Sequence, residues 1–406
     1  MSIYMLSNMI NAAIPFLLLP ILTNFLSTSD YGILSNFNAI VNFLIPIVGI
    51  NVMSSLQVQF IKKEIDFKNY ISTVLRFNLI LATSLSFLVF IFTSQIERIT
   101  HIPIEFIYFL CSYAFFNVLI EVLLAIWRME EKAIFFGLFR ITRTLIEVLL
   151  VIYFVVYLSW GIKGTLFGMS IAYLLGAFVT ILILLKKKLL IGKFELNYLK
   201  HALTYGVPLI PHALSGTAIM YADKLIITYY HGLEQNGIYS VGFMIGQLIG
   251  LIQNSFNQAW VPWVFKKLKT GSEDDKISLV KITYLYFILI LAAVFLLWLL
   301  IPFVYSFLGK TFNSGMELTL FIAIGFAFNG MYKMVSVYLF YLEKTKIIAA
   351  ISLSVACLNI GLAFVLIKHN GILGAAYANV ISMFILFLCS WLISSKMFKM
   401  PWRLQK

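Results

Sequence analysis

The chain has 406 residues, 61% hydrophobic and 12% charged, with a mean hydropathy of +0.95, whereas soluble domains average nearer half apolar and a quarter charged. That excludes a soluble globular enzyme, and apolar runs of about 20 residues following one another from Ile3 to Ile393 make it a polytopic membrane protein. The net charge of +13 would suggest a nucleic-acid partner in a soluble chain, but here it is distributed between apolar runs and points to a membrane face, not to nucleic acid.

Lipid offers no partners for backbone N–H and C=O groups, and the runs lack the alternating polarity of barrel strands, so the fold class is all-α. In chain order, polar clusters divide the sequence into twelve spans at roughly 3–26, 33–60, 71–94, 104–127, 134–157, 165–185, 207–230, 237–263, 280–308, 314–341, 346–367 and 372–394. The first run has no Lys or Arg before Lys62 and carries Asn8, Asn11, Pro15 and Pro20. It lacks the basic start of a cleavable signal peptide and reads as a permanent helix. Alternate connections differ in charge: residues 61–70, 128–143, 186–205, 264–281, 342–346 and 395–406 carry 23 of the 30 Lys and Arg. The opposite set carries only Arg98, Lys163, Lys310 and Lys368, and Arg76, Lys224 and Lys333 fall inside spans. By the positive-inside rule both termini are expected in the cytoplasm. Trp127, Trp160, Trp260 and Trp263 fall at predicted span ends, where an interfacial belt would lie. Cys111, Cys357 and Cys389 are scattered through apolar runs, so neither a disulfide framework nor a metal cluster is encoded, and no cofactor is expected.

The two halves repeat. Gly32-Ile33-Leu34-Ser35 matches Gly237-Ile238-Tyr239-Ser240 at an offset of 205, and Gly161-Ile162-Lys163-Gly164 matches Gly371-Ile372-Leu373-Gly374 at 210. Between them, Glu130-Glu131-Lys132 corresponds to Glu343-Lys344. Three landmarks in one order at half the chain length imply lobes at 1–200 and 201–406. Six spans each is an even number, so the lobes insert with the same orientation, with a pathway at their interface. That architecture indicates a transporter.

The stretch from Pro15 to Asn36, with Ser29-Asp30-Tyr31-Gly32-Ile33, resembles the start of polysaccharide-biosynthesis flippases, the Wzx-type O-antigen transporters. Tyr205-Gly206-Val207-Pro208-Leu209-Ile210-Pro211, Ala222-Asp223-Lys224-Leu225-Ile226-Ile227 and Gly237-Ile238-Tyr239-Ser240 are similar to that family's helix 7 to helix 8 region. The resemblance implies membership of the multidrug/oligosaccharidyl-lipid/polysaccharide exporter superfamily, with two six-helix lobes around a central cavity in the bacterial inner membrane. It implies as substrate an undecaprenyl-pyrophosphate-linked oligosaccharide moved from the cytoplasmic to the periplasmic leaflet. A polymerase and a chain-length regulator of the same pathway are the implied partners, beside membrane lipid.

Such cargo needs polar groups inside helices, where an unpaired amide or charge is costly. Asn8 and Asn11, Asn38 and Asn42, and Gln247, Asn254 and Gln258 supply amides at helical spacing, and Asn42 coincides with Gln247 under the 205 offset. Helices 2 and 8 are therefore expected to present equivalent polar faces to one cavity. Lys333 shares a face with Asn329 and Ser336 and is the first candidate for pyrophosphate contact, with Arg76 and Lys224 as further cations. His212, Gly216, Ile219 and Asp223 share another face, making Asp223 and His212 candidates for ion coupling; Lys224 points about 100° away from Asp223, so the two need different partners. Glu121, Arg140, Arg143 and Glu147 read as a structural ion-pair cluster. A polytopic O-antigen polymerase or glycosyltransferase would want a large external loop or a carboxylate motif, and neither H-E-x-x-H, Walker nor G-x-S-x-G is present. A multidrug antiporter would want a carboxylate in the first helix, and the first acid is Asp30. The expectation is a flippase, not an enzyme, with no catalytic residue.

Overall fold

A computed structural model describes residues 2–62, 65–270 and 272–403; Lys63 and Lys406 of the basic connections lie outside them. The first half opens with α1 (Ser2–Phe25), α2 (Thr28–Gly49), α3 (Val52–Lys62) and α4 (Phe67–Ile91). Short helices α5 (Thr93–Thr100) and α6 (Ile104–Ile107) lead to α7 (Leu110–Met129), α8 (Ala133–Ile152) and α9 (Gly161–Lys186). A linking helix, α10 (Leu196–Gly206), precedes α11 (Ile210–Gly246), α12 (Leu248–Thr270), α13 (Glu273–Ser306), α14 (Met316–Tyr341) and α15 (Thr345–Met397). Among the described residues there is no strand. Also among the described residues, seven helices are long and apolar enough to cross a membrane by length and composition. The protein is an all-α, multi-pass membrane protein.

Two of the longest helices are hairpins. Backbone breaks at Gly232 (φ 82°) and Gly371 (φ 59°) fold α11 and α15 back on themselves, a conformation glycine adopts without steric cost. Across the second break Asn359 donates to Ser382 Oγ at 3.2 Å, and across the first Asn236 donates to Thr228 Oγ1 at 2.9 Å. With α2 and α3 taken as one pass bent at Ile50–Asn51, and residues 233–246 joined to α12 as another, the described residues make twelve passes, the number expected from the sequence. Local signals set the boundaries. Ser27 and Asp30 form a reciprocal capping box at the start of α2, Asp66 caps α4, and Ser272 caps α13 ahead of Glu273, Asp274 and Asp275.

All three repeat landmarks have matching backbone. Gly161 and Gly371 are both left-handed, at φ 54° and 59°, and so are Glu131 and Glu343, at φ 58° and 57°. Gly32 and Gly237 form the crossing between the halves. A Cβ on Gly32 would stand 2.2 Å from the Leu233 carbonyl oxygen, and one on Gly237 would stand 1.8 Å from that of Thr28. Leu233 and Thr28 are themselves related by the 205 offset, so the two helices cross about a pseudo-twofold axis. Ser240 donates to its repeat mate Ser35 at 2.6 Å, Thr228 to Asn36 at 3.1 Å, and Asn236 to Asn36 at 2.9 Å. Small residues allowing close backbone approach, tied by buried polar side chains, are how helices associate in lipid. Of the long apolar helices, α7 and α14 are the most enclosed: 72% of the apolar window through α7 is buried, and 61% of that through α14, against 22% for α4 and for α13. These are the fourth and tenth passes, again repeat equivalents.

The segment after α9 belongs spatially to the first half. Its His201 ring bridges Gln59 of α3 at 2.9 Å and Tyr70 of α4 at 3.1 Å, and Ser72 donates to the Leu190 and Gly192 carbonyls. The boundary expected at residue 200 thus falls inside α10, which packs on α3 and α4. On the same basic face Lys187 and Lys132 both pair with Glu130, at 2.6 and 2.9 Å. Burial alone would raise the Glu130 carboxyl, but the two ammonium groups outweigh it and hold it below the usual carboxylate range. The tryptophans divide: Trp160 is exposed at a helix end, whereas Trp127 and Trp260 are buried against neighbouring rings and are not an interfacial belt.

If the Gly32–Gly237 crossing holds the halves together, Gly237→Ala should destabilise the protein by about 1–3 kcal/mol through overpacking. Gly361→Ala, where a Cβ meets nothing within 4 Å, should be neutral. Thermal unfolding of the purified variants in detergent compares them, and equal melting temperatures would remove the crossing from its structural role.

Candidate transport cavity

Past the crossing the halves separate around a cavity of mixed polarity with two adjoining parts. One, about 260 Å³, is lined by Ser35, Asn38 and Asn42 of α2, Tyr221 and Lys224 of α11, and Ser240, Phe243, Met244 and Gln247 beyond the Gly232 turn. The other, about 330 Å³, shares Tyr31, Leu34, Asn38, Asn42 and Met244 with it and extends along Tyr113, Asn117, Glu147, Thr165 and Tyr173 of the first half. Asn42 and Gln247, repeat mates on helices 2 and 8, therefore do face one cavity.

The charged groups of the two walls are arranged differently. Lys224 is only 8% exposed, and its ammonium lies 4.6 Å from the Tyr221 ring centre and 4.5 Å from that of Phe243. Its neighbour Asp223 points elsewhere: the carboxylate accepts from the Tyr239 hydroxyl and from the Lys224 backbone N–H. The different partners required by their 100° separation are thus Tyr239 for the acid and two ring faces for the base. On the opposite wall Glu147 pairs with Arg143 at 3.1 Å, while the Arg143 guanidinium stacks 4.4 Å over Tyr173.

The other residues singled out in the sequence lie away from this cavity. Lys333 donates to Asn254 of α12. One turn back, Asn329 accepts from Gln253 at 3.1 Å. These four form a second polar group between α12 and α14, where the buried Gln253 Oε1 and Asn257 Oδ1 have no partner. Arg76 is exposed and reaches the Leu190 carbonyl of the linking segment at 3.4 Å. His212 is exposed at the start of α11, its carbonyl accepting from Ser215 at 2.7 Å. Asn8 and Asn11 are not cavity amides, because they accept from Arg140 at 2.5 Å and Thr144 at 2.6 Å and so pin α1 to α8.

Glu147 and Asn117 are among the polar cavity residues that the sequence does not mark as such. The i, i+4 spacing of Arg143 and Glu147 reports an ion pair but not that its acid borders a cavity. Asn117 is a lone amide in an apolar run and leaves no periodic signal.

A family model described as polysaccharide biosynthesis protein matches residues 1–268. The chain belongs to that family. An uncharacterized membrane protein of Haemophilus influenzae is 24% identical over 367 residues, covering 89% of this chain and 88% of its own. Among solved structures, the inward-facing conformation of a multidrug resistance MATE family transporter of the MOP superfamily superposes with a TM-score of 0.79 at 16% identity, covering 96% of this family member and 94% of that chain. The lipid II flippase MurJ in an inward closed conformation superposes at 0.78 and 17% identity, covering 98% and 88%. The family member therefore has a MOP-type transporter fold.

A hydrated cavity should admit a charged thiol reagent. With Cys111, Cys357 and Cys389 replaced by Ser, Asn42→Cys and Gln247→Cys should react with a membrane-impermeant maleimide in detergent-free vesicles open on both sides, and Asn11→Cys should not. Protection at both cavity positions would contradict an aqueous path.

Proposed function

We propose that the protein moves undecaprenyl-pyrophosphate-linked oligosaccharide repeat units, of O-antigen or a related surface polysaccharide, from the cytoplasmic to the periplasmic leaflet of the bacterial inner membrane. The observation that carries this reading is the cavity walled by both halves, with amides and hydroxyls set among its apolar side chains, in a member of a polysaccharide biosynthesis family. Its fold neighbours include a protein described as a lipid II flippase. A lipid-linked glycan needs shelter only for its head: sugar hydroxyls exchange water for amides and hydroxyls, the diphosphate meets a cation, and the polyprenyl tail stays in lipid. A cationic drug fits less well. It would meet the Lys224 ammonium on one wall and a carboxylate already neutralised by Arg143 on the other.

In this reading the lobes, 1–200 and 201–406, rock against each other so that the α2 crossing opens as the opposite side closes, exposing the cavity alternately to each side. Both termini are cytoplasmic, which puts the Gly32–Gly237 contact at the periplasmic end, closing that face. Membrane lipid surrounds the protein, and a polymerase and chain-length regulator receive its product. Lys333 lies eight residues, about 12 Å, from the cytoplasmic end of α14, at a depth a lipid diphosphate can reach. Lys333, with Asn329 beside it, is the proposed diphosphate contact, and exposed Arg76 a peripheral one. Lys224, Asn42 and Gln247 meet the head group within the cavity, and Asp223 and His212 are the proposed ion-coupling groups.

Deleting the gene should leave completed lipid-linked repeat units in the cytoplasmic leaflet while their synthesis continues; exported but unpolymerised units would instead indicate a polymerase. A desolvated charge-assisted contact is worth roughly 1.5–3 kcal/mol, so Lys333→Ala should weaken substrate affinity by about ten- to a hundredfold at normal protein abundance. Lys333→Arg should retain part of the activity, and full export by Lys333→Ala would remove the residue from the site. Reporter domains after Lys188 and Arg403 should be cytoplasmic and one near Glu234 external, and a cytoplasmic reporter at Glu234 would overturn the orientation.

A further inference from the structure

The two lysines within passes, buried Lys224 and half-buried Lys333, sit near opposite membrane faces. Lys333 is eight residues from the end of α14, whereas Lys224 is seven residues before the break at His231–Gly232, about 10 Å from that end. The first end follows the tenth pass and the second follows the seventh, so they face opposite sides. A substrate loaded from the cytoplasmic leaflet has its diphosphate tethered to a tail in that leaflet. The diphosphate therefore stays at the depth of Lys333, and only the glycan extends past Asn38, Asn42 and Gln247 to Lys224.

What Lys224 meets there is the informative part. Its ammonium makes no salt bridge among the described residues: it lies over the faces of Tyr221 and Phe243, and its neighbouring countercharge Asp223 is turned away and hydrogen-bonded to Tyr239, as Glu147 is to Arg143. The remaining polar neighbours in this part of the cavity, Asn38, Asn42, Gln247, Ser35 and Ser240, are neutral. Ring faces stabilise a desolvated ammonium less than a carboxylate does, so a cation held this way in a cavity wall is suited to receive an anion. Neutral sugars satisfy amides and hydroxyls but leave the ammonium unmatched.

We infer that the glycan carried by this protein bears an acidic sugar, of the uronate class, whose carboxylate seats on Lys224. This rests on the flippase reading and assigns the part of the head group that the cavity selects. Asn38 and Asn42 on one side and Gln247 on the other hydrogen-bond the ring hydroxyls beside that carboxylate. The arrangement fixes specificity through one charge, because a buried cation without a directly bonded anion favours an acidic glycan over a neutral one while the amides are indifferent to which sugar it is.

The test reconstitutes the full-length protein in liposomes with two polyprenyl-diphosphate trisaccharides that differ only in carrying a terminal glucuronate or a terminal glucose. Flipping is followed by loss of accessibility to periodate. The wild type should move the glucuronate lipid at least tenfold faster. Within Lys224→Gln the ratio of the two rates should fall to about one, and Lys224→Arg should retain a ratio above one. A wild-type ratio near one overturns the inference but leaves the flippase reading standing. So does a ratio unchanged in Lys224→Gln, or loss of both substrates in equal proportion there, which would place the diphosphate on Lys224. Transport of neither lipid by the wild type overturns the flippase reading and this inference with it.

Discussion

The contact between α2 and the start of the eighth pass is the constraint on which the rest of the structure depends. Gly32 and Gly237 let two backbones touch where any side chain would collide with a carbonyl. Lipid supplies no hydrophobic force between helices, so that closeness must be secured by van der Waals contact and by hydrogen bonds such as Ser240 to Ser35 and Asn236 to Asn36. In this conformation both helices are joined there at one end and separate toward the other, and the space between them becomes the cavity. The repeat is thus more than an evolutionary trace. It places like residues opposite one another at the axis, serine against serine, and brings Asn42 and Gln247 to facing walls one or two turns deeper.

Polar groups inside the protein divide into those that are used up and those that are not. Arg140, Thr144, Asn8 and Asn11 satisfy one another and join α1 to α8; Arg143 satisfies Glu147; Asp223 is satisfied by Tyr239. The cost of placing these groups in a membrane is offset locally. Lys224 and Asn38 in the cavity, and Gln253 and Asn257 near Lys333, keep unused capacity. A transporter needs that distinction. Satisfied pairs hold each half rigid, and unsatisfied groups wait for cargo whose polar surface must leave water without leaving partners behind.

Much of this was legible in the sequence, for a physical reason. Span number follows from how long an apolar run must be to cross lipid, and the positions of Gly161, Gly371, Glu131 and Glu343 follow from turn geometry that recurs at half the chain length. The repeat offset also identified Asn42 and Gln247 as equivalent positions, and helical spacing the 100° between Asp223 and Lys224 as a separation of partners. What spacing cannot give is the identity of the helix that a face meets. Asn8 and Asn11 have the same spacing pattern as Asn38 and Asn42, yet they face α8 and not the cavity. Trp127 and Trp260 lie at span ends but turn inward, because neighbouring rings fill the space around them. Glu147 was recognised as half of an ion pair, and only packing shows that the pair borders the cavity.

The central claim is that the α2 crossing opens and closes once in each transport cycle. The Ser35 and Ser240 hydroxyl oxygens lie 2.6 Å apart, so Ser35→Cys with Ser240→Cys, in a chain otherwise lacking cysteine, places two thiols within reach of a disulfide. Oxidation should abolish delivery of lipid-linked oligosaccharide to the outer leaflet, and a reductant should restore it, with each single variant insensitive to both. Undiminished transport by the fully cross-linked protein would show that the crossing stays closed throughout and would contradict the account.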